Sequence, residues 1–335
     1  MQRPMSHCAV DRGPAQAPIQ YSTGKPQRRD FLRGARVVLT GATSGIGAAT
    51  AAALLDCGVE ALGLIGRDDA AMRATRATHV AVADLADLPA TRAAVSKLGN
   101  TMGGIDVLIS NAGQMSAGLS TYSCSQSDWD AELRVNLSAP FVLLQAALPF
   151  LRRSAEAGRQ PAVVLVSSIC SHVAFENLLP YCVAKAGVDQ LARCAALELG
   201  PRGVRVNAVN PGIIDTPLNR RAFRSDAAYA DYLARSSDLH PVRRCGEARD
   251  VAHLILFLAD SSASGFMTGQ LHVIDGGRSR TVHGLRTLVT LWRPPLIPGC
   301  APRAPQSRRP RSNSKRKAAA RPQTARAPTT PSPVA

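Results

Sequence analysis

Short apolar runs alternate with longer stretches of helix-forming composition from about residue 34 to residue 279. The runs at 36–40, 61–65, 79–83, 105–110, 162–167, 204–209 and 270–274 are rich in Val, Ile, Leu and Ala and end at Gly, Asp, Asn, Ser or Pro, so they read as strands. The stretches at 46–56, 88–98, 128–150, 181–199 and 249–259 read as helices. Strand and helix in repeated alternation predict an α/β fold, a single doubly wound parallel sheet with right-handed crossovers and helices on both faces. The link from Arg67 to Asp84 is short for a full crossover helix, so a stub is expected there.

Two local patterns carry chemistry. The first follows the strand Val37-Val38-Leu39 and reads Thr40-Gly41-Ala42-Thr43-Ser44-Gly45-Ile46-Gly47, running into the Ala- and Leu-rich segment Ala48 to Leu55. Strand, glycine turn and helix in that order suit a dinucleotide. Gly41 allows the tight turn, Gly45 lets the backbone approach a pyrophosphate, and Gly47 lets the helix start pack on the sheet. The helix start offers free N–H groups and a positive dipole end to phosphate. The second pattern is Tyr181-Cys182-Val183-Ala184-Lys185, with Ser168 upstream. On a helix, residues four apart share a face, so the ammonium reaches the neighbourhood of the phenol. A nearby cation favours phenolate, so the pair predicts a tyrosine with a lowered pKa that gives or takes a proton.

Composition changes the picture mainly at the ends. The formal charge of +16 is not spread through the chain: residues 34–279 hold 22 basic and 22 acidic side chains. Residues 1–33 carry +4, and residues 280–335 hold 12 basic side chains and no acid. The domain reading is therefore a flexible extension at 1–33, a catalytic domain at 34–279, and a basic, Pro/Arg-rich disordered tail at 280–335. The tail, with Arg308-Arg309-Pro310-Arg311 and Lys315-Arg316-Lys317, invites a nucleic-acid reading. No aromatic residue follows Trp292 to stack on a base, so a solvated basic tail is the preferred reading. The first 33 residues lack the apolar core of a secretory signal, and no apolar run is long enough to suggest a membrane span. The eight cysteines show neither a C-x-x-C pair nor His partners at metal spacing, which points to free thiols in a cytoplasmic protein without a metal site.

Taken together, the two patterns resemble the classical short-chain dehydrogenases/reductases, over about residues 34–279. The resemblance implies a Rossmann-like fold and further site residues. Asp84 and Leu85 match the family's adenine contact after the third strand. Asn111-Ala112-Gly113 match the motif after the fourth, with Ser110 where Asn is more usual. Asn136 matches the family's helical Asn, expected to hold a water that links Lys185 to solvent. Pro211, Gly212, Ile214 and Thr216 match the segment after the sixth strand that meets the nicotinamide. With Thr43, Ser44 and Ile46 in the glycine turn, these residues form the expected coenzyme site. Asn136, Ser168, Tyr181 and Lys185 form the expected catalytic set. Lys185 is also expected on the nicotinamide ribose, and Ser168 on the substrate oxygen. The family pairs the helices at 128–150 and 181–199 across a homodimer, often within a homotetramer.

The end of the second strand bears on the coenzyme. Family members that use NAD place an acid there; here Gly66 is followed by Arg67, whose guanidinium suits a 2′-phosphate. NADP(H) is favoured, and NAD(H) stays open because Asp68 follows closely. The expected substrate is a small molecule, a medium-sized, partly apolar carbonyl or alcohol. Candidate walls are Gln114, Met115, Cys170, His172, Phe175 and Leu178, under a lid at about 213–244 that offers Leu218, Phe223, Tyr229, Tyr232 and Leu233. Two other readings are a catalytically silent nucleotide-sensing protein on the same fold and nucleic-acid association through the tail.

Overall fold

A computed structural model describes residues 32–280. The two extensions, apart from their innermost residues, lie outside the described residues.

The chain begins with β1 (Arg36–Thr40), α1 (Gly45–Asp56), β2 (Ala61–Gly66), α2 (Asp69–Ala74), β3 (His79–Val82), α3 (Leu88–Thr101) and β4 (Val107–Ser110). It continues through α4 (Gln126–Leu133), α5 (Ala139–Glu156), β5 (Ala162–Val166), α6 (Leu179–Leu199) and β6 (Arg205–Pro211). A lid follows, made of β7 (Ile214–Asp215), α7 (Pro217–Arg220), α8 (Asp226–Asp238) and β8 (Gly246–Glu247). The last elements are α9 (Ala248–Ala259), α10 (Ser261–Ser264) and β9 (Leu271–Ile274). Seven parallel strands lie in the order β3-β2-β1-β4-β5-β6-β9, the doubly wound sheet that the alternation predicts. Strand order reverses between β1 and β4, and the crevice at their carboxyl ends is where such sheets bind ligands. The expected stub is α2, six residues long, capped by Asp68.

Side chains of each central strand alternate between two cores. Val38, Leu108, Val163 and Leu165 face the core shared with α3, α5 and α6. Val37, Leu39, Val107, Ile109, Val164 and Val166 face the core shared with α1 and α9. The run Gln126–Glu156 is, by length and a mean hydropathy of 1.3, apolar enough to cross a bilayer, but half of that window is buried inside the fold. Its apolar face belongs to the sheet: Val142, Leu143, Leu144, Ala147, Phe150 and Leu151 are buried. Between α4 and α5 one wider turn, Arg134–Ser138, interrupts the regular helix, and it carries Asn136. Inserted turns of this kind are often found at functional sites.

At the opposite edge of the sheet from the crevice, Asp106 ties the start of β4 to β1 and α5. Its carboxylate accepts from Arg36 N and Nη2 at 2.8 Å and from Ser154 Oγ at 2.6 Å, and it pairs with Arg159 at 3.1 Å. Burial pushes this carboxyl up, but the hydrogen bonds from Arg36 and Ser154 outweigh it and hold its pKa below the usual range. A depressed folded pKa contributes stability that is present above the unfolded value and lost as pH falls through the folded one. Asp106→Ala leaves the guanidinium of Arg36 without its main anion, and breaking a buried pair in this way costs about 3–5 kcal/mol. The melting temperature should fall by roughly 10 °C at neutral pH. Thermal denaturation checks this, and the gap between variant and wild type should narrow in acid.

Candidate active site

The crevice is a cleft of about 450 Å³. Its coenzyme end is built on the turn from β1 into α1. Gly41 and Gly45 have φ of +70° and +52°, which bend the chain sharply before the helix. Ser44, the residue before α1, makes no capping bond with its side chain, and the first turn of the helix carries no acid. Neither a cap nor an internal charge competes with an incoming phosphate for the helix start. Asn111 closes this end from β4: its Nδ2 donates to the carbonyls of Thr40 and Gly41 at 3.0 and 3.2 Å. Thr40 Oγ1 in turn accepts from the N–H groups of Asn111 and Ala112 at 3.0 and 2.9 Å. The turn, Arg67, Asp84, Leu85, Ala112, Gly113, Pro211, Gly212, Ile214 and Thr216 all line one cleft, and a dinucleotide fits that cradle.

Ser168, Tyr181 and Lys185 meet at the centre. The seam between β5 and α6 brings them together: Lys185 Nζ donates to Val166 O at 2.9 Å, and Ser167 Oγ donates to Lys185 O at 3.1 Å. Lys185 Nζ lies 5.6 Å from the centre of the Tyr181 ring. Ser168 Oγ accepts from Cys170 N at 3.1 Å, and its side chain acts on the Tyr181 phenol in favour of the charged form. Asn210, on β6, braces the group from below. Its Nδ2 donates to Ser168 O at 3.2 Å and to both carboxylate oxygens of Asp189 at 2.9 Å.

The electrostatics correct one expectation. Tyr181 is 6% exposed, and its phenol is pushed up rather than lowered: burial acts most, and the nearby Cys170 adds to it. Burial also moves Lys185 down, to about 8, against the pull of Cys170, Asp189 and Glu132. Sequence spacing gives the distance between phenol and ammonium but not the desolvation both undergo. As built, the site holds Tyr181 protonated at neutral pH.

Asn136 does not line the cleft; it sits fully buried behind the wall. Its Nδ2 donates to Gln114 O at 2.9 Å and Glu132 Oε1 at 3.1 Å, and its Oδ1 accepts from Gln114 N at 3.1 Å. Both amide donors are engaged, which fixes the side chain's orientation. Only the missing side chain of Gly113 separates Asn136 from Lys185. A Cβ there would lie 2.8 Å from Asn136 Oδ1 and 3.6 Å from Lys185 Nζ.

Several residues of the site escaped the sequence reading. Glu132 is fully buried and accepts from Ser116 Oγ at 3.0 Å as well as from Asn136. Burial raises its pKa, and its charge acts on both Tyr181 and Lys185. It lies one helical turn before Asn136, a spacing that could have flagged it. Ser236, Leu239 and Arg278 also line the cleft. Among the expected wall residues, Gln114, Met115, Cys170, Phe175, Leu178, Leu218 and Tyr232 do so, whereas His172, Phe223, Tyr229 and Leu233 do not. His172 is exposed beside Ser171. Tyr229 is used inside the lid: its hydroxyl donates to Asp215 Oδ1 at 2.9 Å, and its ring lies 5.4 Å from that of Phe223.

A doubly wound parallel sheet with a glycine turn at its switch point and Ser, Tyr and Lys beside that turn defines a nucleotide-dependent oxidoreductase. The comparisons make the class specific. The family profile described as enoyl-(acyl carrier protein) reductase matches residues 41–279. The (2S)-[(R)-hydroxy(phenyl)methyl]succinyl-CoA dehydrogenase subunit BbsD of Thauera aromatica is 35% identical, over 72% of this chain and 95% of that protein. Cis-4-hydroxycyclohexanecarboxylate dehydrogenase of Sinomonas cyclohexanicum is also 35% identical, over 72% of this chain and 94% of that protein. The structure of Thermoplasma acidophilum aldohexose dehydrogenase superposes with a TM-score of 0.69 at 30% identity, covering 75% of this chain and 96% of that one. The chain belongs to the classical short-chain dehydrogenases/reductases, oxidoreductases of alcohol and carbonyl groups that use a nicotinamide dinucleotide.

Proposed function

We propose that this chain interconverts a secondary alcohol and its carbonyl with NADP(H), using Tyr181 as the acid/base. The observation that carries this reading is the meeting of Ser168, Tyr181 and Lys185 at the carboxyl ends of the strands, beside the glycine turn. The nicotinamide, when bound, supplies or takes the hydride. Tyr181 donates its proton to the carbonyl oxygen in reduction and takes it back in oxidation. Ser168, which accepts from Cys170 N, keeps its O–H free to donate to that oxygen and stabilise its developing charge. Lys185 holds the ribose and favours phenolate as the proton leaves. Asn136, behind Gly113, continues the polar path inward from Lys185.

NADP(H) rather than NAD(H) is supported at the end of β2. Arg67 is exposed in the cleft. The two acids that follow it are engaged elsewhere. Asp68 Oδ1 accepts from Ala71 N at 2.9 Å as the cap of α2, and Asp69 pairs with Arg73 at 2.8 Å. Arg67→Gln should raise KM for NADPH about tenfold or more, the worth of a charge-assisted bond, and leave KM for NADH nearly unchanged. A panel of ketones and secondary alcohols, followed by the absorbance of the reduced coenzyme with each nucleotide, tests both statements. Finding turnover with NADH alone would reverse the coenzyme assignment.

The relatives span aromatic acyl, alicyclic and sugar substrates by name, and two of the three carry a carboxyl or acyl-thioester group. A homodimer through α5 and α6 belongs to the same proposal, supported by Phe141, Val183 and Leu197, which leave apolar surface exposed on those helices. A cytoplasmic setting is supported by six free cysteines among the described residues.

A further inference from the structure

Behind the cleft wall lies a carboxylate that no step of the reaction has used. Glu132, in the last turn of α4, is fully buried. Both of its oxygens are engaged. Oε1 accepts from Asn136 Nδ2 at 3.1 Å and from Ser116 N at 3.4 Å. Oε2 accepts from Ser116 Oγ at 3.0 Å and from Gln114 Nε2 at 3.3 Å. Every partner is a donor, the set that an ionised carboxylate takes, and none of them carries a charge. Among the described residues no ion pair includes Glu132. A buried anion held only by neutral donors is costly, so a cation within reach of its field matters. Lys185 is that cation, and each acts on the other.

Asn136 links the two. Its Nδ2 is on the Glu132 carboxylate, and its Oδ1 lies 2.8 Å from the Cβ position that Gly113 leaves empty. Lys185 Nζ lies 3.6 Å from the same position. All three side chains are buried, so solvent ions screen the charges little. The same carboxylate fixes the segment 113–116. It binds Ser116 and the side chain of Gln114, while Asn136 binds the backbone of Gln114 on both sides. Gly113, Gln114 and Met115 of that segment line the cleft.

Lys185 has other neighbours to consider. Tyr181 and Asp189 share its helix, Cys170 acts from the turn after β5, and Glu132 acts from α4. The thiol of Cys170 is pushed well above its usual range by Cys182 and by burial, so it is uncharged where Lys185 titrates. Two anions remain. Asp189 is shared with Asn210, whose Nδ2 donates to both of its oxygens. Glu132 is the anion from outside the helix.

We propose that Glu132 is a positioning residue of this site, the buried anion that keeps Lys185 an ammonium and fixes the segment 113–116 beside it. The proposal rests on the oxidoreductase reading above for the use to which the ammonium is put. Only the charged lysine favours phenolate as the Tyr181 proton leaves. The charge of Glu132 acts on Tyr181 in the opposite sense and favours the neutral phenol. Its two effects together keep both protons in place, so the site rests ready to donate one to a carbonyl.

Competitive labelling with acetic anhydride from about pH 6 to about pH 10, read at Lys185 by peptide mass spectrometry, gives the midpoint of its titration without coenzyme or substrate. Wild type titrates at about 8. In Glu132→Gln the midpoint falls by about one unit, and in Glu132→Asp, which keeps the charge, it stays within about 0.3 unit of wild type. An unchanged midpoint in a folded Glu132→Gln assigns Glu132 to the fold and overturns the proposal, as does an equal fall in Glu132→Asp. If a thermal melt shows that Glu132→Gln does not fold, Glu132→Met combined with Ser116→Ala removes the charge together with one of its donors and is read in the same way. Fluorescence titration with NADPH and NADH keeps the two readings apart. A shifted midpoint in a chain that binds neither nucleotide upholds the coupling of Glu132 to Lys185 and removes the oxidoreductase reading. Where a ketone is turned over, the alkaline limb of kcat moves down with the midpoint, and above it Glu132→Gln runs about tenfold slower than wild type.

Discussion

Tyr181→Phe loses turnover by a factor of about 10³, while the dissociation constant for NADPH stays within about twofold. The ring is 6% exposed and packs near the ammonium of Lys185, and Phe preserves that packing. What disappears is the phenol hydroxyl on which Ser168 acts. Ser168 cannot replace it, because its own hydroxyl is a far weaker acid. The other acid beside the ring is the ammonium of Lys185, which burial moves down to about 8, so a residual rate in Tyr181→Phe would point to Lys185. Steady-state rates with a ketone substrate and a fluorescence titration of NADPH make the measurement. Turnover near the wild-type level would remove Tyr181 from the chemistry.

The order of strands and helices was legible because the sheet is parallel and covered on both sides. Val37, Val38 and Leu39 are apolar in succession since each faces one core or the other, and such runs are distinct in sequence. The glycine turn was legible for a different reason: glycines are needed where another segment passes close, as Ala112 does at Gly41, Thr216 at Gly45 and the backbone of Gly41 at Gly47. The lid was not legible in detail. α8 has few buried residues, Tyr229 and Ser236, so its apolar positions form no clear stripe, and the tyrosines look equally suited to substrate or to each other. The acidity of Tyr181 was read with the wrong sign because the helix spacing that places Lys185 nearby says nothing of the phenol's burial or of Cys170 beside it. Glu132 was missed although it stands four residues before Asn136, and Arg278 because a single charged residue carries no pattern. Only the fold reveals that one sits behind Asn136 and the other in the cleft wall.

Gly47→Ala weakens NADPH binding about a hundredfold, or roughly 3 kcal/mol. Gly47 stands at the first turn of α1, and an added Cβ would lie 2.0 Å from Gly41 O, 2.7 Å from Gly41 C and 2.6 Å from Asn111 Nδ2. No side chain can yield there, because two of the three atoms are backbone. The helix start must move, or the turn must open and break the bonds from Asn111 to the carbonyls of Thr40 and Gly41. Either way the free N–H groups at the start of α1 lose their alignment with the glycine turn, and that alignment is what makes the helix end a phosphate site. Gly200→Ala is the control: its added methyl meets no atom within 4 Å, and NADPH affinity should be unchanged. Isothermal titration of both variants gives the comparison, with a thermal melt of each to separate lost binding from lost fold. Affinity retained in a folded Gly47→Ala would mean that the phosphates are held elsewhere, by Arg67 and the strand ends, and that the glycine turn serves only to pack α1 on the sheet.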